Sequence, residues 1–400
     1  MSIEASLSDR LEQKLANHRA NGLWRQRPLV TQPQSVTTQI NGLTCLNFAS
    51  NDYLGLANHP TIKHAAKVAL SDHSLGSGAA HLISGHHLSH HLLEDELADW
   101  LGVEAALLFS TGYMANLAVQ QTLAEKGDVI IADKLNHASL LDGARLSAAE
   151  LQRYPHVDLN ALEKRLQRAR QAERQALVVT DGVFSMDGDL APLAGIQALC
   201  QTYQAWLLVD DAHGFGVLGP EGRGSFAHFG LRPDDNTILV GTLGKAFGTA
   251  GAFVAGSKQL IDTLMQLARP YVFTTASSPI MAEATRAALS LVQTDEPRRQ
   301  RLHDNINAFR TLASQANLPL MASSTPIQPI LIGDNAPTMA LAETLKSAGF
   351  WVGAIRPPTV PKGSARLRIT LSADHSAEQI EQLVRALANA YQEQGLSHAR

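Results

Sequence analysis

Short apolar runs separated by helical stretches recur through much of the chain, and they restrict the fold more than any other feature. The runs are 105–110 (AALLFS), 128–132 (DVIIA), 176–180 (ALVVT), 205–209 (AWLLV) and 237–241 (TILVG). Continuous rather than alternating hydrophobicity means that both faces of each strand are covered, which predicts an α/β fold around a mostly parallel sheet. Segment 252–256 (AFVAG) is expected to add an edge strand. Leu93, Leu97, Trp100 and Leu101 share one face of a helix predicted from residue 89, and Ile3, Leu7, Leu11 and Leu15 form a stripe along an N-terminal amphipathic helix over 3–18. Leu43 to Phe48 reads as a strand leading into the polar turn 51–55 (NDYLG). Past about residue 290 the texture changes. A charged stretch from Asp295 to Asp304 precedes strands expected at 327–332, 350–355 and 366–371. The expected division is an N-terminal helix and arm over 1–45, a large domain over 46–290 and a small α+β domain over 291–400.

Composition excludes several function classes. The formal net charge is −4 with both signs interspersed, so no basic stripe suggests nucleic acid. No segment approaches the roughly 20 apolar residues of a membrane span, and the acidic start fits neither a secretory signal nor a transit peptide. Cys45 and Cys200 are too few for a disulfide framework or a cysteine zinc site, and a cytoplasmic setting is expected.

In a doubly wound sheet, ligands collect at the carboxyl ends of strands. Lys245 lies there, in the Gly-rich turn that follows 237–241, and 35 residues upstream the strand in 206–216 (WLLVDDAHGFG) ends in Asp210, with His213 just beyond. A lysine in such a turn and a carboxylate at a strand end are what a pyridoxal phosphate (PLP) enzyme needs. The amine forms a Schiff base with the aldehyde, and the acid keeps the pyridine nitrogen protonated so that the ring can accept electrons. Competing patterns fail. A Walker loop would need Gly at Leu239 and Ser or Thr at Ala246, and no G-x-S-x-G elbow occurs.

Other residues fall in suggestive places, each open to a plain structural reading as well. Thr111-Gly112-Tyr113 opens a helix after a strand, where backbone N–H groups attract phosphate, but an ordinary strand-to-helix turn looks the same. His137 is either a ring that stacks on a cofactor or a polar turn residue. Ser185 in 180–189 (TDGVFSMDGD) could donate to a phenolic oxygen, while Thr242 can reach a phosphate. Asp187 and Asp189 alternate like a calcium loop, but the closing ligand would be Ala198, so calcium is not expected. Arg356 and Arg368 could fork onto carboxylates; alternation also allows Arg366, Arg368 and Thr370 to line an exposed strand face. The histidines at 81, 86, 87, 90 and 91 are dense, yet show neither a zincin pattern nor a cysteine, and no metal is expected.

Taken together, six segments resemble the blocks of the α-oxoamine synthases, a branch of the fold-type-I PLP enzymes, over nearly the whole chain. They are 47–56 (NFASNDYLGL), 76–85 (GSGAAHLISG), 133–140 (DKLNHASL), 180–189, 209–219 (VDDAHGFGVLG) and 242–248 (TLGKAFG). The resemblance implies a large PLP domain with a mostly parallel seven-stranded sheet, a small α+β C-terminal domain, and a homodimer with shared active sites. It implies that Lys245 is the Schiff-base lysine and general base, Asp210 the pyridinium partner and His137 the stacking ring. His213 and Ser185 would meet the phenolic oxygen. Gly112, Tyr113 and Thr242 would hold the cofactor, with Thr274 or Thr275 from the partner subunit. Arg368 would bind the amino-acid carboxylate near Asn51. Segment 354–361 (AIRPPTVP) is similar to the biotin-pathway branch, which implies condensation of L-alanine with a pimeloyl thioester of coenzyme A or acyl carrier protein. Arg356, Thr359 and Arg25 are then candidates for the acyl substrate. A glycine acetyltransferase is the nearest alternative; a non-catalytic subunit of the same fold would have no need of Lys245 and Asp210. The chain departs from the family at Ala79, Ala80 and His81, where many members carry Ser or Gly and then Arg.

Overall fold

The computed structural model describes residues 6–21 and 23–396. Two sheets organise these residues. The larger has seven strands: β3 (Ala105–Phe109), β4 (Val129–Asp133), β5 (Glu150–Tyr154), β6 (Ala176–Asp181), β7 (Trp206–Asp210), β8 (Thr237–Thr242) and β9 (Ala252–Gly256), in the order β3-β9-β8-β7-β6-β4-β5. β5, β4, β6, β7 and β8 pair in parallel, whereas β9 runs antiparallel to both its neighbours. This is the mostly parallel α/β sheet that the apolar runs predict. Every residue of β4, β6 and β9 is buried, because helices cover both faces.

Two placements differ from the sequence expectation. Residues 252–256 do not form an edge strand; β9 is inserted between β3 and β8. Its apolar residues carry no edge-blunting charge and suit an interior slot. The true edge beyond β4 is β5, whose sequence ELQRY is polar because one side has no neighbouring strand.

The smaller sheet has the order β1-β2-β11-β12-β10, from β1 (Thr37–Ile40), β2 (Leu43–Phe48), β10 (Ile327–Gly333), β11 (Phe350–Ile355) and β12 (Ala365–Thr370). The early strand β2 joins the late strand β11 in parallel. β12 lies between β11 and β10, and all six of its residues are buried, so Arg366 and Arg368 do not line an exposed face. The helix Leu7–Ala20 begins with a capping box between Ser6 and Asp9, and buries none of its residues. Leu7, Leu11 and Leu15 of the predicted stripe are exposed, and Ile3 lies outside the described residues. Among the described residues no helix is long and apolar enough to cross a membrane.

Candidate active site

The carboxyl ends of β4, β6, β7 and β8 converge on one cleft. β8 ends at Thr242, and the turn after it carries Lys245 with Nζ 2.8 Å from His213 Nε2. His213 follows β7, and its Nδ1 is 2.5 Å from the Tyr53 hydroxyl. Tyr53 in turn donates to Asn51 Oδ1 at 3.2 Å, and the same oxygen accepts from Arg368 Nη2 at 3.2 Å. A continuous hydrogen-bonded chain therefore runs from the Lys245 amine to the Arg368 guanidinium. The two ring nitrogens of His213 thus join the Tyr53 hydroxyl on one side to the Lys245 amine on the other. Burial, together with the nearby Lys245 and Arg368 charges, holds His213 well below the usual imidazole range, consistent with a neutral ring.

Asp210 closes β7 and is buried. One carboxylate oxygen accepts from the Asn116 amide at 2.6 Å and the other from the Ala212 N–H at 3.0 Å. Both donors are neutral, so the charge is oriented without being cancelled. Asn116 also donates to Ser139 Oγ at 2.8 Å, and that hydroxyl lies 2.7 Å from His137 Nδ1. The Ser139 N–H approaches the same nitrogen at 3.3 Å. His137 Nδ1 is thus an acceptor and the ring proton sits on Nε2. The His137 N–H donates to Asp181 Oδ2 at 2.8 Å, which fixes the turn at the start of helix Ala138–Leu146. Burial shifts the Lys245 amine down to about 8, against the opposing pull of Asp210 and Asp181.

Arg368 reaches the cleft from β12, positioned by the Ser185 carbonyl at 2.7 Å and the Thr370 hydroxyl at 2.9 Å. Its neighbour Arg366 pairs with Asp187 at 2.6 Å, and the hydroxyls of Ser323 and Thr325 hold the Gly188 carbonyl, each at 2.9 Å. The loop after β6 is in this way clamped to the smaller sheet. Asp189 of that loop pairs with His156 at 2.8 Å.

Gly112 begins the helix Gly112–Leu123 behind the N-cap Thr111. A Cβ added at Gly112 would meet only Thr242 Cβ, at 4.0 Å, so open space lies in front of the helix start. The Thr242 hydroxyl donates to the Gly251 carbonyl at 3.2 Å. Tyr113 is exposed and hydrogen-bonds to Asp142. These groups fit pyridoxal phosphate: an anion-attracting helix start with room before it, an uncancelled carboxylate, a lysine whose burial favours the neutral amine, and a neutral imidazole.

The remaining predicted residues lie elsewhere in the chain. Thr274 is half-buried, and Thr275 is exposed and bridged through its backbone to Ala80. Arg25, Arg356 and Thr359 line a separate groove of about 700 Å³ together with Trp24 and Trp351. Arg356 donates there to the Trp24 carbonyl at 3.1 Å and to Met339 Sδ at 2.9 Å. The sequence reading did not single out Tyr53 or Asp181, and it gave Asn116 no link to Asp210. Tyr53 sits 160 positions from His213, and only the turn NDYLG itself marked the place.

Known proteins resemble this chain along most of its length. A curated relative from Hydrogenovibrio crunogenus, named 8-amino-7-oxononanoate synthase, is 63% identical over 97% of each chain. A solved serine palmitoyltransferase variant from S. paucimobilis, with PLP and myriocin bound, is 30% identical with a TM-score of 0.92, covering 98% of this chain and 100% of its own. The solved 8-amino-7-oxononanoate synthase of Francisella tularensis is 32% identical with a TM-score of 0.77, covering 88% and 99%. The model of the family described as aminotransferase class I and II matches residues 44–387. With that match and these relatives, the chain belongs to the class I and II aminotransferase family.

Proposed function

We propose that this chain is a PLP-dependent acyltransferase of biotin biosynthesis, condensing L-alanine with a pimeloyl thioester to 8-amino-7-oxononanoate, carbon dioxide and the free thiol. One observation carries the chemistry: the hydrogen-bonded chain that joins the Lys245 amine to the Arg368 guanidinium beside the uncancelled Asp210 charge. The names of the relatives favour the acyl choice.

When bound, pyridoxal phosphate supplies an aldehyde that takes up the amino group and a ring that draws negative charge from the α-carbon. Gly112, Tyr113 and Thr242 would receive its phosphate at the helix start, His137 its ring face, Ser185 and His213 its phenolic oxygen, and Asp210 its ring nitrogen. Arg368, already held in place by Ser185 and Thr370, orients the alanine carboxylate, with Asn51 alongside. Neutral Lys245 takes the α-proton as general base, its amine directed by His213 Nε2. Thr274 and Thr275 would complete the phosphate site of a second copy, in a cytoplasmic homodimer with shared sites. The thioester carrier is coenzyme A or acyl carrier protein. The test is product analysis with alanine, glycine or serine against acetyl and pimeloyl thioesters. Alanine with the pimeloyl donor should give the dominant product; preference for glycine and the acetyl donor would instead make this a glycine acetyltransferase.

Two further outcomes are expected. With the Lys245 amine shifted to about 8, its neutral, nucleophilic fraction falls about tenfold per unit of pH below that value. Uptake of the cofactor by apoenzyme, followed by absorbance, should therefore accelerate as pH rises and level off above about 8. A rate independent of pH between 6 and 9 would show that the neutral amine is not the limiting form.

The second concerns the far carboxylate of the pimeloyl chain, which is costly to desolvate without a partner. The groove lined by Arg25, Arg356 and Thr359 would receive it. Arg356→Ala and Arg25→Ala should each raise the KM for a pimeloyl thioester by about tenfold, the scale of one charged hydrogen bond. A neutral acyl thioester of equal length should be affected less; equal losses on both would remove the arginines from this role.

A further inference from the structure

The histidines near residue 86 serve no step of the reaction, yet the fold places a buried carboxylate among them. His86 precedes the helix Leu88–Leu101, which carries His90, His91 and Glu94. His90 is fully committed: its Nδ1 accepts from the His87 N–H at 3.1 Å, and its Nε2 faces the Ser277 carbonyl at 2.9 Å. His86, His91 and Glu94 are not. His86 Nδ1 lies 3.0 Å from His81 Nδ1, while its Nε2 points toward Glu94 Oε2 at 4.0 Å. The Glu94 side chain is only 11% exposed. Its Oε1 accepts from the Leu108 N–H at 2.9 Å, which anchors the group and leaves Oε2 toward His86. His91 sits one helical turn before Glu94, with Nε2 3.6 Å from Asp95 Oδ2. One ligand atom from each of His86, His91 and Glu94 lies within 4.8 Å of the others.

We propose that His86, His91 and Glu94 form a binding site for zinc or a similar divalent transition metal, with water or Asp95 as a fourth ligand. Two imidazoles and one carboxylate suit zinc, whereas calcium and magnesium prefer all-oxygen sets. Zinc bonds of about 2.0–2.2 Å require the ligand atoms to draw closer than they now stand. The exposed side chains of His86 and His91 can close that gap around the anchored Glu94. His81 serves as the outer partner. Its Nδ1 lies 3.0 Å from His86 Nδ1, and accepting the proton there directs the His86 Nε2 lone pair to the metal. The acid was not legible as a ligand in the sequence because it lies beyond the histidine run, and only the turn before the helix brings His86 to it.

The experiment uses untagged holoenzyme, stripped of metal by chelator and dialysed, then titrated with zinc chloride by calorimetry and with cobalt(II) by visible absorption. We expect one ion per chain, with d–d bands of a four- or five-coordinate cobalt site. His91→Ala and Glu94→Gln should each weaken zinc binding by about 10- to 100-fold, with zinc raising the Tm of the wild type only. Glu94→Gln retains an oxygen for the Leu108 N–H, and His91 is exposed, so both variants are suited to folding. Absence of saturable binding up to about 100 µM zinc, or unchanged affinity in either variant, would overturn the proposal.

Discussion

Replacing Lys245 by alanine should lower turnover by about 10⁴-fold, the upper end of what one positioned acid–base group contributes. The argument rests on how the amine is held. Burial favours its neutral form, and His213 Nε2, 2.8 Å away, fixes the direction of its nitrogen. A water molecule in its place would be far less basic. The helix start at Gly112 and the carboxylate of Asp210 are untouched, so the variant should still take up pyridoxal phosphate, now without covalent attachment. The space vacated by the side chain should admit a small primary amine, and added ethylamine should restore a measurable part of the rate. Turnover within tenfold of wild type would exclude Lys245 as the base. Borohydride reduction of the wild type gives an independent check, because the label should be recovered on Lys245 and no other lysine.

The features of this chain that were legible in its sequence are those governed by local pattern. β4, β6, β7 and β8 are unbroken apolar runs, and their carboxyl ends place Asp210, His213, Thr242 and Lys245 together by the geometry of a parallel sheet. What was not legible depends on pairing between distant segments. The uncharged residues of β9 suit an interior slot, but that β3 and β8 are the strands flanking it is set by pairing between distant segments. The alternation of Arg366, Arg368 and Thr370 resembles a solvated face, yet the side chains are buried because Asp187 and the Ser185 carbonyl, some 180 residues earlier, receive them. Tyr53 follows the same rule. Its role as the link between His213 and Asn51 exists only once the turn at 51–55 is folded against the end of β7. The leucine stripe of the first helix shows the converse, since a clear periodic pattern there buries none of the helix's residues.

Asp210→Asn should cost about 10³-fold in turnover, or ~4 kcal/mol at the rate-limiting barrier, with cofactor affinity reduced by no more than about tenfold. The two effects separate because different contacts produce them. Affinity comes largely from the phosphate at the helix start and from Lys245, neither of which the substitution removes. Rate depends on a full negative charge beside the ring nitrogen, and an amide has none. The present partners of Asp210 sharpen the case, since the Asn116 amide and the Ala212 N–H orient the carboxylate without neutralising it. An asparagine can keep only one of them as a donor to its single oxygen, so part of the loss could come from a turned side chain. Asn116→Ala separates the causes: it leaves the charge and removes one orienting contact, and should cost only about tenfold, the scale of one hydrogen bond to a charged group. If Asp210→Asn turns over near the wild-type rate with cofactor retained, the carboxylate is a cap on the end of β7. If Asn116→Ala is as damaging as Asp210→Asn, orientation rather than charge is what the site draws from Asp210.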